Sequence, residues 1–204
     1  MGKTQKPQAV NPVRKQNSLT VCAGSNDHRL KSTAFSNGVK LISGFIFKEE
    51  VSFKKAKSLL ESRFGEVDFQ SRPLPFDYTD YYAKEFGLGL KRAFLSFKKL
   101  IYPQQLSGIK VFTNTLEKRL SFKGSRRVNI DPGYLDLAKL VLASTKDFSH
   151  RIYLNRGIWA EVTLVYQGKT FKPWEWTYPD YRTTEYLEIF NRIRAIYYAQ
   201  IKEK

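Results

Sequence analysis

Lys40-Leu41-Ile42-Ser43-Gly44-Phe45-Ile46-Phe47 is a short, nearly continuous apolar run and reads as a buried strand. The pattern beyond it decides the fold class. Ser52 stands where a helix N-cap is expected, ahead of a stripe formed by Phe53, Ala56, Leu60 and Phe64 that Gly65 ends. Val67 to Phe76 reads as extended, with Pro73 and Pro75 confining it to a sheet edge or a strand end. Lys91–Ile101 alternates in part. It stops short of Pro103, which suits the first position of a second helix with Ile109, Phe112, Leu116 and Leu120 on one face. This β-α-β-β-α order predicts an α+β fold in which helices pack on one side of an antiparallel sheet, a ferredoxin-like half.

Toward the C-terminus, Arg127–Ile130 reads as the next strand. Leu135–Ala143 is apolar but too short for periodicity to choose between helix and strand. Arg151–Leu154 and Ile158–Tyr166 flank Asn155-Arg156-Gly157 and read as a hairpin, and Gln167-Gly168 begins a return into Lys169–Phe171. A last amphipathic helix from about Thr184 turns Tyr186, Ile189, Phe190, Ile193 and Tyr197 inward. Residues 39–204 therefore read as a single domain. Residues 1–38, rich in Ser, Asn, Gln, Lys and Thr and without a period, read as a disordered basic arm.

The charge has two sources. Of a net +16, residues 1–40 hold seven Lys and Arg against Asp27, which leaves +10 for residues 41–204. A body this basic favours polyanionic partners, nucleotide or RNA among them, although a solvated cationic surface has the same composition. Fifteen Phe and twelve Tyr supply both a dense core and flat faces for stacking on bases. Cys22 alone cannot form an internal disulfide. There is neither an apolar leader nor a run of 18 apolar residues, so the expectation is a cytoplasmic protein with no membrane span.

No G-x-x-x-x-G-K-[ST], G-x-S-x-G or H-E-x-x-H pattern occurs, and one Cys with two His cannot build a usual zinc site. Gly87-Leu88-Gly89 lacks the third glycine of a dinucleotide loop. The polar residues worth following lie between Val128 and Arg182. Asp131, before Pro132-Gly133, reads either as a turn acceptor or as a carboxylate aimed into a cleft. Lys146 and His150, four apart, would share the face of a helix beside Arg151, a cluster suited to phosphate or carboxylate. His150 is a candidate general acid or base, or a hydrogen-bonded residue at an element boundary. Glu161, flanked by Trp159 and Thr163 on one face of an alternating strand, needs a partner. Either it pairs with Arg151 or Lys146, or it joins Asp131 in holding Mg²⁺ or a substrate. Tyr134, Thr163 and Arg182 complete the set of candidate ligand contacts. The acids of Phe76-Asp77-Tyr78-Thr79-Asp80 and the aromatic loop Trp174–Arg182 read more readily as solvated loop acids and as a cap on the core.

The blocks Val128-Asn129-Ile130-Asp131-Pro132-Gly133-Tyr134-Leu135, Thr145–Leu154, Glu161-Val162-Thr163-Leu164 and Trp176–Arg182, with Phe64-Gly65 and Pro75–Tyr82, resemble a prokaryotic domain family of unknown function. The resemblance spans about residues 39–200 and implies one domain without implying a reaction. Members run from a Pro-rich start directly into the first strand. Pro7–Val13 resembles that start, which makes residues 14–38 an apparent insertion. The expected function is binding of a phosphate-bearing ligand, a nucleotide or RNA. If bonds are broken, Mg²⁺-dependent phosphoryl-transfer or phosphoester chemistry by His150, Asp131 and Glu161 fits best. The alternative is a non-enzymatic interaction module whose polar cluster is a structural salt-bridge network.

Overall fold

The structure, a computed structural model, describes residues 38–78 and 86–203. The expected arm, its Cys22 and His28, and Asp80 lie outside them. In chain order the elements are β1 (Lys40–Phe47), α1 (Glu50–Phe64), β2 (Val67–Gln70), β3 (Leu74–Pro75), β4 (Lys91–Phe97), α2 (Leu106–Arg119) and β5 (Val128–Leu135). There follow β6 (Lys139–Ser144), β7 (Ile152–Asn155), β8 (Ile158–Gln167), β9 (Thr170–Pro173) and α3 (Thr184–Lys202). The fold of the described residues is α+β, built on one nine-stranded sheet with the path β2-β4-β1-β5-β6-β8-β7; β3 joins β4 and β9 joins β8. Each of these pairings is antiparallel.

β1 lies deep in the sheet and is buried along its whole length, so its two faces organise two cores. Leu41, Phe45 and Phe47 face α1 and α2, where Phe53 meets Phe45 edge-on at 5.2 Å and stacks on Phe47 at 4.7 Å. Ile42 and Phe94 face α3, and Phe94 takes Tyr186 and Phe190 edge-on at 4.8 and 5.0 Å. The first two helices thus share one side of the sheet, whereas the third covers the other, in three layers. Aliphatic and aromatic side chains are buried on both faces, which stabilises the three-layer arrangement.

Several local expectations change. Glu49, not Ser52, precedes the first helix, and its carbonyl already accepts the N–H of Ser52, which sits inside the first turn. Leu135–Ala143 resolves into strand. β5 continues straight through Pro132-Gly133, so Asp131 is a strand residue and not a turn acceptor. The β7–β8 hairpin closes on Arg156 (φ 53°) and Gly157 (φ 71°), a backbone matched to strand twist. Among the described residues no helix is long and apolar enough to cross a membrane.

Two departures from regular pairing position the site. β5 and β6 pair only over Gly133–Leu135 and Leu140–Leu142, and then part. β8 carries one extra residue, Thr163, between Val162 (opposite Val141) and Leu164 (opposite Leu140), which is a β-bulge. Gly133 sits at the fork, where an added Cβ would lie 2.4 Å from the Val141 carbonyl oxygen. Gly133→Ala is expected to cost about 1–3 kcal/mol in urea unfolding. Gly108→Ala, at an open helical position, should be neutral or stabilising by up to about 1 kcal/mol.

Candidate functional site

Where β5 and β6 separate, the edge of β5 loses its strand partner, and two side chains of α2 take its place. Glu117 Oε1 accepts the Ile130 N–H at 2.7 Å, and Lys110 Nζ donates to the Ile130 carbonyl at 3.0 Å. A buried backbone group left unpaired would be costly, so these two bonds are what let the sheet open. The opening is a cleft of about 520 Å³. Lys110, Asn114, Glu117 and Lys118 reach it from α2, at the i, i+4, i+7 spacing of one helix face.

Asp131 occupies the centre. Its Oδ2 accepts from Asn129 Nδ2 at 2.8 Å and lies 3.5 Å from Arg92 Nη1, while Lys110 Nζ is 3.4 Å from Oδ1. The carboxylate side chain keeps 26% exposure. Burial alone would raise its pKa, but Lys110 and Arg92 outweigh it and hold Asp131 below the ordinary carboxylate range. Arg92 is only 3% exposed and reaches Asp131 by lying across β1 at Gly44. A Cβ on Gly44 would stand 3.1 Å from the guanidinium and 3.3 Å from the Tyr181 hydroxyl, which accepts Arg92 Nη2 at 2.6 Å. The rings of Phe76, Phe94 and Tyr181 surround this cation at 5.2–5.7 Å.

Glu161 and Arg151 form the opposite wall. The pair is 2.8 Å apart with both side chains 3% exposed. Arg151 also donates to Ser144 Oγ and the Lys146 carbonyl, each at 2.9 Å, and to the Tyr178 hydroxyl at 3.0 Å. Burial works against its charge, but Tyr178 and Glu161 more than compensate and raise its pKa. Glu161 reaches this face because of the bulge. It pairs with Leu142, and Leu164 pairs with Leu140, so both point to the α3 side of the sheet. Strict alternation had put them on opposite faces. The carbonyls that the bulge leaves to the adjoining loop are taken by Trp176 Nε1 (onto Val162) and Thr177 Oγ1 (onto Thr163).

Of the residues singled out from sequence, Asp131, Lys146, Arg151 and Glu161 line this one cleft. His150 does not. Residues 145–151 form an irregular connection, so the four-residue spacing carries no helical meaning. His150 stacks between Phe148 and Trp176 with its Nε2 3.2 Å from Glu161, behind the wall. Thr163 is buried against Glu161 Oε1 at 3.3 Å. Tyr134, three residues from Asp131 and hence on the other face, packs with the α2-side core. Arg182 clamps the aromatic loop through the carbonyls of Thr177 and Glu175.

Both carboxylates offered as Mg²⁺ ligands are already engaged by cations. Among the described residues no three His, Cys, Asp or Glu side chains gather as a metal cage. Arg92, Lys110 and Glu117 are the functional candidates that sequence reading missed. The second cation of Lys91-Arg92, directly before Ala93-Phe94-Leu95, and a polar stripe beside the apolar stripe of α2 were the available signals.

Arg151→Ala should cost about 3–5 kcal/mol, because it removes the guanidinium from a buried carboxylate and leaves Glu161 only His150 and Thr163, and urea titration would read it. Asp131 stabilises the fold above about pH 3.8, and that contribution is lost as pH falls through its lower folded value. The stability gap between wild type and Asp131→Asn is therefore largest near pH 6 and narrows below pH 3.8, as unfolding curves across pH would show.

The family model described as "Domain of unknown function (DUF4416)" matches residues 37–197, which include every strand among the described residues and all of the cleft. No curated protein and no solved structure matches the chain. With most of its length covered by that model, the chain belongs to the DUF4416 family of domains of unknown function.

Proposed function

We propose that the cleft binds a phosphate-bearing ligand, a nucleotide or a segment of RNA. The observation that carries this reading is the company of side chains around one opening. Arg92, Lys110, Lys118, Arg126, Lys146 and Arg151 line the same cleft as Phe76, Tyr78, Tyr178 and Tyr181. Guanidinium and ammonium groups suit phosphate oxygens, and the rings offer faces to a base. Four acids oppose the cations. Asp131, Glu161 and Glu117 are already paired with cations of the same lining, and burial raises the pKa of Asp180. At the rim, exposed Lys118 and Lys146 set the sign of the field that an incoming ligand meets.

The strand order β2-β4-β1-β5, with α1 and α2 on one side, also supports reading this part as a ferredoxin-like unit extended by β6–β9 and α3. Chemistry in such a cleft would be phosphoryl transfer or phosphoester hydrolysis, with Asp131 the carboxylate facing the ligand. Glu161 and His150 would act as positioning residues behind it. Mg²⁺ would arrive with the phosphates. A second reading, a non-enzymatic interaction module in a cytoplasmic setting, draws on the sealed Glu161–Arg151 pair, which spends its charge internally.

Thermal shift and calorimetry with nucleotides and short RNAs, with and without Mg²⁺, separate the two. Ligand at a hundredfold excess over Kd should stabilise wild type by about 2.7 kcal/mol. Lys146→Ala and Lys118→Ala should each weaken binding about tenfold while leaving the unliganded Tm within a degree or two. Silence from every phosphate compound would favour the interaction module.

A further inference from the structure

We infer that a groove beside the cleft is a second phosphate subsite, and that the ligand spanning both is a single-stranded oligonucleotide. This rests on the reading of the cleft as a phosphate site. The groove encloses about 310 Å³ and sets Lys48, Lys123, Arg126 and Arg127 against one carboxylate, Glu49. Arg126 lines both spaces. On the cleft side it donates to Glu117 Oε2 at 3.1 Å and Asn129 Oδ1 at 2.9 Å, and on the groove side its guanidinium lies 5.6 Å from the Phe86 ring. A chain of phosphates could pass from one to the other along a single guanidinium.

Phe122 supplies the aromatic element. It is 55% exposed, at the start of a tight turn in which Phe122 and Ser125 exchange both backbone hydrogen bonds at 2.9 and 3.0 Å. Lys123 (φ 49°) and Gly124 (φ 82°) form the tip, so the ring is displayed from a fixed frame. Arg127 and Lys123 stand 5.1 and 5.6 Å from its centre. Cations around an exposed ring form the arrangement that tracks a single strand by its backbone and base faces, without selecting its sequence. The groove between β2 and α3 differs, since it is lined by two cations, Arg72 and Arg192, and two acids, Glu185 and Glu188, and its charge is balanced.

The test compares a mononucleotide with labelled RNA and DNA hexamers, read by calorimetry and fluorescence anisotropy across salt. The variants are Phe122→Ala and the double Lys123→Ala/Arg127→Ala, at exposed or half-exposed positions outside the core. The hexamer should bind wild type more tightly than the mononucleotide. The double variant should weaken the hexamer about tenfold and lower its salt slope by about 1.4, while mononucleotide affinity stays unchanged. Phe122→Ala should weaken it at least fivefold, roughly the loss of one stacked base, with the slope unchanged. Mononucleotide binding with a hexamer no tighter, or with a hexamer indifferent to all these substitutions, overturns the inference and leaves the cleft reading intact. Failure of both probes to bind wild type removes both.

Discussion

The open edge of β5 is the constraint on which the rest of the molecule depends. A nine-stranded sheet that parts in its middle exposes backbone groups to a largely apolar interior, and water is not free to satisfy them cheaply. Glu117 and Lys110 solve this with one acceptor and one donor on the same helix, seven residues apart, both aimed at Ile130. The helix stands in for the missing ladder. Their opposite charges make the substitution self-consistent: the ammonium that serves the carbonyl also faces Asp131, and the carboxylate that serves the N–H also holds Arg126.

From that edge the electrostatics follow in sequence. Asp131 meets a cation from each side of the sheet, Lys110 through the gap and Arg92 over the surface of β1. The second contact depends on the absence of a side chain at Gly44, so a glycine in the most buried strand lets Arg92 reach the carboxylate directly opposite that glycine on the neighbouring strand. Arg92 is enclosed by rings, and burial would favour its neutral form were Tyr181, Asp180 and Asp131 not beside it; together they raise its pKa. On the far wall Arg151 spends its donors on Glu161, Ser144, the Lys146 carbonyl and Tyr178, and so holds the β6–β7 connection in place.

Much of the fold was legible because periodicity reports burial. The stripes Phe53-Ala56-Leu60 and Tyr186-Phe190-Ile193-Tyr197, the edge position of Pro73 and Pro75, and the hairpin at Arg156-Gly157 all follow from local patterns. Part of the site was legible too. Asp131, Lys146, Arg151 and Glu161 stood out as charges in apolar surroundings and share one cleft. The hidden part depends on long-range geometry. Lys110 and Glu117 look like ordinary helix-surface residues until the parting of β5 and β6 is known, and Arg92 looks like a strand residue with a solvated tip. His150 carried two readings in the sequence, and long-range geometry shows only where the ring sits: between Phe148 and Trp176, with Nε2 3.2 Å from Glu161.

The bulge at Thr163 gives β8 an asymmetry between changes of side chain and changes of length. Residues before it and after it are held in phase by that single insertion. Shortening the strand by one there would rotate Ile158–Val162 by half a pleat. Glu161 would then be driven into the hydrocarbon packed beneath α2, and Val162 would be brought out into the polar hollow. Along this strand, exchanges that keep Glu161 and the buried apolar positions should therefore be tolerated better than any change in the number of residues.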